Sequence, residues 1–138
     1  MERSPGRPQL ARAFTWLISL TPFLVILQAF LFGGFYNKLN SDLIDAHQAV
    51  GLLSMILVVL LAILAYFARF PRESRIVHLA IALALLWIIQ WVLGSVASNE
   101  ARWVVILHVP MGLFVFGFAL LVAGKTHRTL AAGRRAAP

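Results

Sequence analysis

Four long and almost uncharged apolar runs occupy roughly residues 13–35, 43–68, 76–97 and 103–124, each separated from the next by a short polar turn. A hydrocarbon core of about 30 Å takes about 20 helical residues to cross, so every run is long enough to span one. No stretch alternates polar and apolar residues as a barrel strand does, and backbone groups in lipid are then satisfied only inside helices. Short turns make consecutive spans antiparallel neighbours. The expected fold class is therefore all-α, an integral membrane four-helix bundle running up-down-up-down. A composition of 61 % hydrophobic and 12 % charged residues excludes an ordinary soluble domain.

The flanks of the runs set the expected orientation. Of twelve Lys and Arg residues, only Lys38 and Arg102 fall on one side of the bundle. Arg3, Arg7, Arg12, Arg69, Arg72, Arg75, Lys125, Arg128, Arg134 and Arg135 fall on the other. This bias predicts a multi-pass protein of a bacterial inner membrane with both termini in the cytoplasm. The net charge of +7 then forms a basic face toward anionic lipid, not a nucleic-acid patch. Residues 1–12 read as a basic cytoplasmic leader without a fold of its own, 13–124 as the transmembrane bundle and 125–138 as a basic cytoplasmic tail. The first apolar run is too long for the core of a cleaved signal peptide. Pro22 is expected to kink the first span and Pro110 to bend the fourth. Ser98 and Asn99 offer caps for the start of the fourth span. Cysteine is absent, which excludes disulfides, thiolate metal sites and covalent c-type haem attachment.

Within the apolar runs a polar pattern occurs twice. Gln28 on the first span is followed by His47-Gln-Ala-Val-Gly51 on the second, and Gln90 on the third by His108-Val-Pro-Met-Gly112 on the fourth. The glutamines are 62 residues apart and the histidines 61. The chain reads as two parallel two-helix repeats related by a pseudo-two-fold along the membrane normal. Measured from the outer caps, His47 lies about 9 Å down its helix and His108 about 13 Å down, so all four polar residues share one level near the outer face. Spans two and four sit on a diagonal of such a bundle, and the histidines can face each other across its axis.

Two imidazoles on a two-fold axis suit a planar metal macrocycle. Haem b needs no cysteine and accepts imidazole as an axial ligand on each side, which makes His47 and His108 candidate metal ligands for one haem b. Gly51 and Gly112, each four residues beyond its histidine, lie on the same helix face and leave room for the ring. Phe30, Phe32, Trp91, Phe114 and Phe116 offer aromatic surface nearby. Gln28 and Gln90 on the other diagonal are candidates to hydrogen-bond the imidazoles or a haem edge, and Arg102 and Lys38 to pair with propionates. The alternative for each residue is plainer: intramembrane polar side chains also tie helices together, and glycine also permits close packing. His78 has Trp16 at its repeat-equivalent position and reads as interfacial. His127 reads as a solvated tail residue, and Met111 as packing beside His108.

Gln-x-x-x-Gly on one span and His-x-x-x-Gly near the start of the next resembles one four-helix half of haem A synthase, and also a group of small uncharacterised four-helix bacterial membrane proteins. The likeness covers roughly residues 20–128. It implies a bundle with paired histidines on the second and fourth helices around a haem, and it maps the axial ligands onto His47 and His108. The chain departs from the synthase in having one bundle, no outer cysteine pair and Asp45-Ala-His47-Gln where the synthase has a glutamate upstream of a His-Arg pair.

Two functional classes follow. One is a small cytochrome b subunit for electron transport, exchanging electrons with quinone or a redox partner complex near the outer face. The other is a non-enzymatic accessory or assembly subunit of a larger membrane complex, with haem structural or absent. The sequence holds no nucleotide-binding glycine loop and no nucleophile–base pair, so an independent enzyme is the weakest expectation.

Overall fold

Pro22 divides the first span. In the computed structural model, which describes residues 5–36, 40, 42–99 and 102–135, α1 runs Pro8–Ile18 and α2 runs Thr21–Tyr36. A proline ring collides with the carbonyl four residues back, here that of Ile18, and offers it no N–H. That carbonyl instead accepts the Thr21 hydroxyl at 2.8 Å. The helix therefore stops at Ser19–Leu20 and restarts, where the sequence suggested only a kink. The remaining helices are α3 Asp42–Ala68, α4 Ile76–Asn99 and α5 Val105–Arg135. Pro110 lies in the second turn of α5, which continues through it.

The chain is an all-α four-helix membrane bundle. Pro8–Gly34, Asp42–Ala68, Ile76–Val96 and Val105–Arg135 are each long and apolar enough to cross a membrane. α3 and α5 each pack against α1, α2 and α4, which puts α3 and α5 on one diagonal, as the short turns predicted.

Both ends of the chain are more ordered than a leader and a tail. From Pro5 onward the leader is docked: the Gly6 N–H donates to the Arg69 carbonyl at 3.1 Å and the Arg7 N–H to that of Ala68 at 3.2 Å. These bonds satisfy carbonyls that the end of α3 leaves unpaired. Ala11, Phe14, Thr15 and Ile18 make the buried stripe of α1, at the i, i+3, i+4, i+7 spacing of an amphipathic helix. At the other end α5 continues to Arg135, with Thr126, Thr129 and Gly133 buried. Its 31 residues amount to about 46 Å. That exceeds a hydrocarbon core of about 30 Å, so the basic end of α5 stands clear of it.

Packing is uneven along the bundle axis. Phe14, Ile18, Val58, Leu61, Ile76, Leu83 and Val122 are all 2 % exposed or less, and they fill the half of the bundle that holds α1 and the Arg69–Arg75 turn. In the other half, among the described residues, Trp87, Val104 and Val115 are the buried large side chains. That loosely filled half carries the repeated polar residues.

Candidate functional site

The loose half encloses a cavity of about 580 Å³, within the usual range of roughly 300–1,000 Å³ for a small-molecule or cofactor site. Gln28 from α2, His47 and Gly51 from α3, Gln90 from α4, and His108 and Gly112 from α5 all line it. Six of the seven residues singled out from sequence thus meet in one place. The seventh, Arg102, opens a single 3-10 turn, Arg102–Val104, but its side chain lies outside the described residues, as does all of Lys38.

Each imidazole is oriented by the glutamine of its own repeat, through the main chain. His47 Nδ1 lies 2.9 Å from the Gln28 carbonyl oxygen, and His108 Nδ1 lies 3.1 Å from the Gln90 carbonyl oxygen. A carbonyl only accepts, so both rings carry their proton on Nδ1 and keep a lone pair on Nε2. An Nδ1–H held by a carbonyl is the arrangement that commonly fixes a metal-binding imidazole. The ring centroids are 6.3 Å apart with planes inclined at 70°. Metal–nitrogen bonds of about 2 Å on each side of one ion, plus the half-width of each ring, give a centroid separation of roughly 6 Å.

The glycines take up a different neighbour from the one expected. A methyl on Gly51 would stand 3.1 Å from Gln28 Nε2, and one on Gly112 would stand 3.1 Å from Gln90 Nε2. Each His-x-x-x-Gly therefore makes room first for the glutamine amide of the preceding helix. A third glycine, Gly94, is closer to the chemistry: a methyl there would stand 2.8 Å from His108 Cε1. In the sequence it is only the glycine of the Gln-x-x-x-Gly that Gln90 opens, and glycine in a membrane helix has many packing uses.

Gln90 also uses its side chain. Its Nε2 donates to the His108 carbonyl at 3.0 Å and faces His108 Nε2 at 3.3 Å, while its Oε1 is buried without a partner among the described residues. No equivalent bond links the Gln28 side chain to the His47 ring among the described residues; that ring is flanked instead by Phe32, with centroids 5.7 Å apart.

Of the expected aromatics, Phe32 and Trp91 line the cavity, joined by Trp87. Phe30 and Phe114 are 74 % and 57 % exposed and face outward, and Phe116 is not among the lining residues. His108 is closer to its helix start than the caps implied, because α4 runs on to Asn99 and α5 begins only at Val105. His78 is exposed. His127 is tied to the break in span one: its Nε2 lies 2.9 Å from Ser19 Oγ, whose own proton goes to the Thr15 carbonyl at 2.7 Å. Trp16 meets the same ring edge-on.

Among the described residues no three His, Cys, Asp or Glu side chains converge to hold a bare metal ion. Two imidazoles at this separation suit a metal whose remaining positions a macrocycle already fills. The donor set, the tautomers and the apolar walls supplied by Val25, Leu52, Trp87 and Trp91 fit a haem held between His47 and His108. Family models, curated proteins and solved structures were compared with the chain, and none matches.

Proposed function

We propose that this chain is a small cytochrome b subunit, holding one haem b between His47 and His108 in the manner of one half of haem A synthase, and working in electron transport rather than as an independent catalyst. The observation that carries the reading is the doubled contact of an imidazole Nδ1–H with a glutamine carbonyl, which leaves two Nε2 lone pairs for one iron. When bound, haem supplies a one-electron couple. The protein's own part is to hold both imidazoles in one tautomer, to exclude water with Trp87, Trp91 and Leu52, and to set the polarity around the iron through Gln28 and Gln90. Quinone or a redox partner complex is the proposed exchange partner.

The proposed setting is a bacterial inner membrane with both termini cytoplasmic, on the distribution of Lys and Arg. A periplasm-specific reporter fused after Ala123 should be silent, and activity there would reverse the orientation. The test of the cofactor is the absorption spectrum of protein purified from haem-replete cells, oxidised and reduced. A low-spin Soret band that shifts on reduction is expected, and its absence would remove haem from the reading.

One observation favours the second class, an accessory or assembly subunit without redox work. The Gln90 amide links α4 to α5 through the His108 carbonyl and ring with no cofactor needed, which is how polar side chains tie membrane helices. Under that reading deletion of the chain disperses a larger complex and no haem copurifies.

A further inference from the structure

The two histidines have the same tautomer but unequal access. The His108 Nε2 lone pair faces a donor from Gln90 at 3.3 Å, the Gln90 amide being held in that orientation by its second bond to the His108 carbonyl at 3.0 Å. His47 Nε2 has no protein partner among the described residues: the Gln28 amide lies against Gly51 as the Gln90 amide lies against Gly112, but it makes no bond to the His47 ring. Gln90 Oε1, meanwhile, is buried and has no hydrogen-bond partner among the described residues. A buried amide oxygen is stabilised by any donor that reaches it.

We infer that Gln90 is a positioning residue that occupies the His108 lone pair until haem arrives, so that the two histidines ligate in a fixed order, His47 first and His108 second. The inference rests on the haem reading of the site. Were His108 to take the iron, the contact of Gln90 Nε2–H with His108 Nε2 would be given up and the same lone pair would serve the metal. No proton leaves the imidazole, since its hydrogen stays on Nδ1 against the Gln90 main chain, and no electron moves. Releasing the amide also frees Oε1 to find a donor, which offsets part of what the step gives up.

Two measurements test this, one without haem. In haem-free protein carrying ¹⁵N-labelled histidine, the Nε2 signal of His108 should move in Gln90→Leu and in Gln90→Met, whereas that of His47 should not move in Gln28→Leu. Unchanged His108 signals in both Gln90 variants overturn the inference while leaving haem binding untouched. In rapid mixing of haem-free protein with haemin, capture should scale with haemin concentration and be followed by a concentration-independent change to the low-spin spectrum. Gln90→Met should speed that second phase roughly tenfold, the factor a hydrogen bond of ordinary net strength supplies. His108→Ala should keep the first phase and lose the second, and His47→Ala should lose the first. Equal rates in wild type and Gln90→Met, or capture that survives His47→Ala and fails in His108→Ala, overturn the order. A protein that binds no haemin at all overturns the function proposed above, and the order with it, whatever the ¹⁵N signals show.

Discussion

Phe32 and Gly94 stand 62 residues apart, each one helical turn beyond the glutamine of its repeat. The ring of Phe32 packs 5.7 Å from that of His47, whereas Gly94 presents bare backbone to His108, so close that a methyl would lie 2.8 Å from the imidazole. The hydrogen bonds that orient the two imidazoles are nevertheless alike to within 0.2 Å, at 2.9 and 3.1 Å. The lesson is a separation of roles within a duplicated unit. Main-chain geometry, which depends little on side-chain identity, repeats; the side chain beside each ring does not, and it sets how tightly that ring is packed.

Losing either proposed haem ligand is the severest way to break this comparison. His47→Ala and His108→Ala should both abolish the six-coordinate low-spin spectrum and weaken haem retention beyond the roughly 10–100-fold typical of losing an outer partner. His78→Ala should leave the spectrum unchanged. A low-spin spectrum that persisted in one ligand variant would show that the halves are not paired.

Next in size is Gly94→Ala, which drives a methyl into a ring already tied at Nδ1. Overpacking of this kind costs about 1–3 kcal/mol, read as a lower thermal midpoint in detergent. Gly33→Ala, with nothing within 4 Å of the new methyl, should instead gain up to about 1 kcal/mol, alanine's advantage over glycine inside a helix. Phe32→Ala removes one ring contact on a half-exposed residue and should cost about 1 kcal/mol, with the ¹⁵N signals of His47 disturbed and those of His108 untouched. Smallest of all, Gly51→Ala and Gly112→Ala should shift stability little, Gly112→Ala the less favourably because the Gln90 amide it displaces is bonded to the His108 carbonyl. In each the methyl meets the flexible end of a glutamine, and alanine's advantage of about 1 kcal/mol over glycine in a helix offsets the displacement. Equal shifts would mean that the Gln90 bond to the His108 carbonyl adds nothing that Gln28 lacks.

The spans, the diagonal and the meeting of Gln28, His47, Gln90 and His108 were legible because polar residues are costly in lipid and conspicuous in apolar runs. The contact that orients the imidazoles was not, since it uses a carbonyl that every residue possesses. Gly94 was hidden for a related reason: its contribution is an absent side chain, which a sequence displays in the same way whether a ring or a helix lies opposite. The docking of Gly6 and Arg7 escaped notice because a proline- and charge-rich leader resembles any unstructured terminus, while its bonds are main-chain ones to Ala68 and Arg69. Pro22 was read correctly as a disturbance and underestimated in extent, because Thr21 was not recognised as the group that compensates the freed carbonyl of Ile18.

The uneven packing along the axis makes the bundle a set of cantilevers. With Phe14, Leu61, Leu83 and Val122 locked together at one end and the leader pinned across the foot of α3, the helices share a fixed root. A molecule entering the cavity cannot slide whole helices apart; it can only spread the half of the bundle away from that root. Stiffness at the mouth is therefore governed from the far end of the molecule. A substitution that loosens the root, such as Phe14→Ala, changes how readily the mouth yields without touching a residue that lines it.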